Sequence, residues 1–152
     1  MNKSLLFGLS VVSGFLLNGI NFVTATAKTV NTVPKAIRGT YYNYQNHYQW
    51  AKLSISANRS SIKYPGEKTF ILSPHAKTSA HKLSFQGNIK HFTLNSKIKV
   101  LADSPYPEDG FKLTNRKIKG KYYKIIRAYQ GGYQWDFIKS HKVMNSYFKK
   151  AH

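Results

Sequence analysis

At 152 residues and 41% hydrophobic, the chain can bury one modest core and needs no second domain. It has no Cys, which excludes a disulfide framework and thiolate metal centres, and its 5 acidic residues leave few groups for acid–base catalysis. Against these stand 24 Lys and Arg, a formal charge of +19, and a field of that sign and size draws polyanions.

Met1-Asn2-Lys3 is a short basic start, residues 5–17 are largely apolar, and Ala25-Thr26-Ala27 offers the small residues that a signal peptidase reads. The sequence therefore predicts a secretory signal peptide over 1–27, cleaved after Ala27. An uncleaved membrane anchor is the rival, but Gly8, Ser10, Ser13, Gly14, Asn18, Gly19 and Asn21 interrupt the apolar run. Cleavage removes Lys3 and no acid, leaving 23 basic against 5 acidic residues and a formal +18. An exported chain without cysteine fits a bacterial product, secreted or held at the cell surface. The polyanions it meets first are those of the envelope, teichoic acids and anionic lipid headgroups; nucleic acid comes second and without sequence preference.

Residues 28–36 are rich in Thr and Val, include Pro34, and read as a flexible lead-in to a single β domain over 37–152. Ile37-Arg38-Gly39-Thr40-Tyr41-Tyr42 enters a first hairpin. Its return strand, 50–56, alternates with Ala51, Leu53 and Ile55 on one face. A turn at Asn58-Arg59-Ser60, a short strand over 61–64, a Tyr64-Pro65-Gly66-Glu67 bend and a strand over 68–72 follow. Residues 73–80 read as a loop, and Gly87-Asn88 as a two-residue turn between strands 82–86 and 89–94. A further strand is expected over 97–101. Residues 102–110 hold Pro105, Pro107 and three of the five acids, and read as a surface loop.

From Phe111 to Arg127 the chain is strongly basic, and strands 122–130 and 133–140 make a last hairpin. Beyond it Val143, Met144, Tyr147 and Phe148 stand at helix-like spacing, which predicts a short C-terminal helix. Eight to ten short strands with little helix predict an all-β fold, a small antiparallel β-barrel or sandwich. Closure into a barrel would remove the unpaired edges.

One segment occurs twice, as Tyr44-Gln45-Asn46-His47-Tyr48-Gln49-Trp50 and as Tyr129-Gln130-Gly131-Gly132-Tyr133-Gln134-Trp135. Each copy sets a two-residue turn candidate, Asn46-His47 or Gly131-Gly132, between aromatic runs. The two glycines are the stronger signal, because both central positions of the favoured hairpin turn need positive φ. Pairing Gln130 with Tyr133 places Ala128 opposite Trp135, Ile126 opposite Phe137 and Arg127 opposite Asp136. One face is then apolar and the other carries an opposed charge pair.

At Pro34-Lys35-Ala36-Ile37-Arg38-Gly39-Thr40-Tyr41-Tyr42 and at Ile126-Arg127-Ala128-Tyr129-Gln130-Gly131-Gly132-Tyr133 the chain resembles small secreted proteins of lactic-acid bacteria. These carry a Pro-x-x-Leu-Arg-Gly-Thr-Trp-Tyr-like opening and a Gly-containing aromatic hairpin near the end. The resemblance covers both ends of the exported part and implies location and architecture, not an activity. The opening also resembles the Gly-x-Trp start of lipocalin-like barrels, with Tyr41 where Trp would stand. No ligand is carried over from it.

The chemistry-bearing residues form no catalytic set. Glu67 lies in a turn, Asp136 is assigned to Arg127, and Asp103, Glu108 and Asp109 share a Pro-rich loop without the spacing of a calcium loop. The histidines 47, 75, 81, 91, 141 and 152 show no i, i+4 pair; His75, His81 and His91 could meet at a metal, but scattered surface histidines are the commoner case. No Gly-x-Ser-x-Gly elbow is present, and we assign no metal, no cofactor and no enzymatic activity. The basic run interleaved with aromatics is a polyanion-binding candidate: Lys112, Arg116, Lys117, Lys119, Lys121, Tyr122, Tyr123 and Lys124. Lysines there would neutralise phosphates while tyrosines stack or hydrogen-bond. The expected function is a non-enzymatic, secreted, cationic β-barrel-like protein held electrostatically to anionic envelope polymers. The alternative is a lipocalin-like binder of a small apolar or sugar ligand in an aromatic-lined interior.

Overall fold

The computed structural model describes residues 32–95, 104–145 and 147–151. Both the signal peptide expected over 1–27 and the strand expected over 97–101 lie outside them. The described chain is all-β: one antiparallel sheet, curled into a half-barrel. Its strands are β1 (Gly39–Asn46), β2 (Gln49–Ile55), β3 (Ser60–Lys63), β4 (Phe70–Leu72), β5 (Gln86–Asn88), β6 (His91–Thr93), β7 (Phe111–Ile118), β8 (Lys121–Gln130), β9 (Tyr133–Lys139) and β10 (Phe148–Lys150). They run in the order β4-β3-β2-β1-β9-β8-β7-β6-β5, with β10 attached to β9 off that path. Among the described pairings β4 and β5 are the two ends of the path, so the sheet is not closed by them into a full barrel.

The alternation of β2 decides the inner face. Ala51, Leu53 and Ile55 are buried, and they face Tyr41 and Asn43 of β1 through the pairs Tyr41↔Leu53 and Asn43↔Ala51. A two-residue turn at Asn46-His47 would instead set Tyr41 opposite Lys52. The chain avoids this with a bulge between Tyr44 and Asn46, and the turn falls on His47-Tyr48. Asn46, His47 and Tyr48 all take positive φ, at 99°, 46° and 57°. The turn predicted at Asn46-His47 is thus displaced by one residue.

The last hairpin has the register read from its sequence: Gln130↔Tyr133, Ala128↔Trp135, Arg127↔Asp136 and Ile126↔Phe137. Phe111 of β7 and Phe92 of β6 continue the apolar face, with their rings stacked 5.5 Å apart. Tyr106, fully buried, packs edge-on to Phe111, and its hydroxyl lies 2.8 Å from that of Ser60. These rings, with Tyr41 and Phe137, fill the concave side of the sheet.

Three further expectations are corrected. Gly87-Asn88 is strand, not turn: Gly87 pairs with Phe92, and the turn is Ile89-Lys90, where Asn88 Oδ1 accepts the Lys90 N–H at 2.8 Å. Gly87 is needed because a Cβ there would come within 2.3 Å of the His91 carbonyl oxygen. The lead-in is fixed from its described part onward. Val33 is fully buried, its N–H reaches Ala57 O at 2.8 Å, and its carbonyl accepts Arg38 Nε and Nη2 at 2.9 and 2.7 Å. Finally, no C-terminal helix forms among the described residues. Residues 141–145 are irregular, and β10 pairs with β9 through Phe148↔Trp135 and Lys150↔Tyr133. The apolar residues of the tail satisfy two different faces, which an extended chain can do and one short helix cannot.

Candidate functional site

Strand pairing splits the basic run between two faces. Through Leu113↔Ile126 and Phe111↔Ala128, the odd-numbered residues of β7 share the core side. Lys117 therefore stands with Tyr122 and Lys124 beyond the end of the core, all three exposed. Lys112, Arg116, Lys121 and Tyr123 belong to the opposite face, and Lys119 sits in the turn with φ 47°. Lys117 lies over the Tyr122 ring at 5.6 Å and Lys121 over Tyr123 at 5.5 Å. So the structure gathers Lys117, Lys119, Lys121, Tyr122, Tyr123 and Lys124 at one hairpin tip with lysines on both sides, while Lys112 stands apart at the other end of β7, opposite Arg127.

Arg116 leaves the set for a different reason. Its Nη1 donates to Asp136 Oδ2 at 2.8 Å, while Arg127 Nε and Nη2 donate to the same carboxylate at 2.7 and 3.0 Å. Asp136 is almost fully buried. The hydrogen bond donated to Asp136 raises the Arg127 pKa against a desolvation that lowers it. Tyr147 covers this cluster, its ring centroid 4.4 Å from the Arg116 guanidinium carbon and 4.6 Å from that of Arg127. Arg116 also donates to Asn145 Oδ1. The tail continues the cover. Val143 packs on Ile118, Ile125 and Ile138, and His141 meets the Tyr123 ring edge-on at 5.4 Å.

The tail has a second consequence at β9. Strand β1 pairs with β9 through Tyr41↔Lys139 and Tyr42↔Ile138, whereas β10 pairs with Tyr133, Gln134 and Trp135. The sheet thus forks along β9, and the gap between the two branches is a cleft of about 350 Å³. Asn43, Tyr44, Gln45 and Asn46 of β1 form one wall. Trp135, Tyr147 and Phe148 form the other, with Tyr64 also lining the cleft. Asn43 Nδ2 donates to the Asp136 carbonyl at 2.9 Å, and Gln45 Nε2 donates to Asn43 Oδ1, so the amides are linked in a chain. Burial pushes the Tyr64 hydroxyl up to about 12, against a lowering hydrogen bond from Trp135. Phe148 is 65% exposed and stacks on Tyr133, with ring centroids 5.1 Å apart and planes 13° apart.

The sequence reading missed this cleft, although its signal was present. The repeated aromatic segment supplies Tyr44, Gln45 and Asn46 from one copy and Trp135 from the other. A second, smaller recess of about 270 Å³ lies beside the last hairpin, where Lys90, His91, Asp109 and Lys112 line it. Asp109 Oδ2 there accepts the Gly131 N–H at 2.9 Å, and His91 Nε2–H donates to the Asp109 carbonyl at 2.9 Å. His81 stacks on Phe70 and donates from Nδ1 to Ile71 O at 2.8 Å. Among the described residues no group of three or more His, Asp or Glu is placed to hold a metal ion, and no helix is long and apolar enough to cross a membrane. No family model, no curated protein and no solved structure matches the chain.

Proposed function

We propose that the protein is a non-enzymatic, exported, cationic β protein that stays at a bacterial cell surface by electrostatic attachment to anionic wall polymers or lipid headgroups. One observation carries most of this reading: the β7–β8 hairpin holds Lys112, Lys117, Lys119, Lys121 and Lys124 exposed. Nearby, Asp136 is buried between Arg116 and Arg127 and adds no accessible negative charge. Exposed lysines on both sides of this hairpin meet a flexible polyanion from several directions. Such contacts release counterions and weaken steeply with salt. Binding of nucleic acid follows from the same charge and is non-specific.

Washing cells that export the protein in ~1 M salt, where screening falls to about 3 Å, tests the reading. Release into the wash is expected, with rebinding on dilution. Retention after the wash, or free protein in the medium at low salt, would refute electrostatic attachment.

A further inference from the structure

The cleft at the fork of β9 differs in chemistry from the rest of the surface. In a chain with 24 basic residues, no charged side chain among the described residues lines it. Its lining is amide and aromatic only. The nearest cations lie on the Tyr147 ring, Arg116 and Arg127 bonded to Asp136 and Lys149 at 5.6 Å, so none belongs to the cleft wall itself, and a purely apolar molecule would cover Asn43, Gln45 and Asn46 without replacing their water. The occupant that suits both kinds of group is uncharged, with hydroxyls around its rim and an apolar C–H face.

We propose that this cleft binds a neutral saccharide, an uncharged pyranose unit of a glycan chain. Its volume of about 350 Å³ falls in the range of small-molecule sites, roughly 300–1,000 Å³. Trp135 offers an aromatic surface for the C–H side of the sugar, and Phe148, stacked on Trp135 at 6.4 Å and on Tyr133 at 5.1 Å, lines the same wall and is kept in place by both. The amides of Gln45 and Asn46 face them from β1 and can donate and accept at sugar hydroxyls, with the buried Asn43 amide behind them. Asn43 is held by its bond to the Asp136 carbonyl, so its orientation is set before a ligand arrives. This site goes beyond the electrostatic attachment and does not depend on it: the lysines hold phosphates, and the cleft takes a sugar ring. It also places a small ligand at a surface fork and not in the interior, where the buried rings already occupy the concave face.

The test is a ¹⁵N NMR titration of the protein with two uncharged oligosaccharides, an N-acetylglucosamine tetramer and a glucose tetramer, and with a nucleoside as control. Saturable shifts at the Trp135 indole and the side-chain amides of Asn43, Gln45 and Asn46 are expected, unchanged in ~1 M salt. Phe148→Ala should weaken binding about tenfold. Gln45→Ala provides a second variant at the opposite wall, should the first fail to fold. No saturable shift with either oligosaccharide, shifts confined to the lysine hairpin, or an equal response to the nucleoside would each overturn the proposal. Salt release from cells would be untouched by those failures.

Discussion

Asp136 on β9 accepts two hydrogen bonds from Arg127 on β8, at 2.7 and 3.0 Å, across the pair that places them opposite each other. With Arg116 at 2.8 Å, one buried carboxylate holds two guanidinium groups and joins β7, β8 and β9 on the side away from the main core. Asp136→Ala would strand two largely covered cations and should cost about 3–5 kcal/mol. Replacing all three residues by apolar ones of similar volume should recover most of the loss. Urea unfolding of the two variants measures both outcomes.

Tyr147 lies over both arginines and under Lys149, so Tyr147→Ala should lose three cation–π contacts, about 1–2 kcal/mol in all for this half-buried position. Tyr147→Phe keeps the ring and gives up only the long hydrogen bond from Gln134 at 3.3 Å. A thermal melt should therefore separate Ala from Phe clearly, with Phe close to the parent.

Burial pushes Tyr41 and Tyr64 up to about 12 from the ordinary 10.0, and Tyr106 higher still. A proton held more tightly in the folded chain means that the unfolded chain ionises first. The contribution is intact below about pH 10 and is lost as the pH rises from there towards 12. Urea midpoints should accordingly fall across that window. The fall should be shallower in Tyr64→Phe; a flat midpoint would contradict the assignment.

The lysines of the β7–β8 tip and Arg116 should behave differently towards a polyanion. Each of Lys117, Lys119, Lys121 and Lys124 changed to Gln should lower the slope of log affinity against log salt by about 0.7–0.9 where that lysine contacts a phosphate. Arg116→Gln should leave the slope alone and lower the melting temperature, since its charge is spent on Asp136. Binding to a glycerol-phosphate polymer over a range of salt distinguishes the two.

The last hairpin was legible because every local signal agreed: Gly131-Gly132 at the tip, and alternation that sorts Ile126, Ala128, Trp135 and Phe137 from Arg127 and Asp136. The first hairpin was legible only as a hairpin. Its turn depends on which partner Tyr41 takes, a tertiary choice that a bulge then accommodates. Gly87 was misread because glycine serves both turns and close backbone approach, and the His91 carbonyl it must avoid is not visible from Gly87 itself. The tail carried apolar residues at a helical interval, but Val143 and Phe148 serve different sides of the sheet. Of the polyanion candidates the lysines are exposed as expected; Arg116 could be reassigned only once β7 was known to lie beside β8. The cleft depended on the meeting of two distant copies of one segment.

The half-barrel ends in β4 and β5, each three residues long. Molecules concentrated along a polymer collide often, and a long bare strand margin would let one copy recruit the next into a growing ribbon. Three residues supply too few N–H and C=O groups to seed such a ladder. The chain leading away from β4 is turned back by Ser73, which receives the Leu83 N–H at 2.9 Å and donates to His81 O at 2.9 Å. Ends this short keep β4 and β5 from templating a fibre, and the longer margin of β7, which among the described pairings meets β6 only at Phe92↔Phe111, carries Lys112, Arg116 and Lys117 instead.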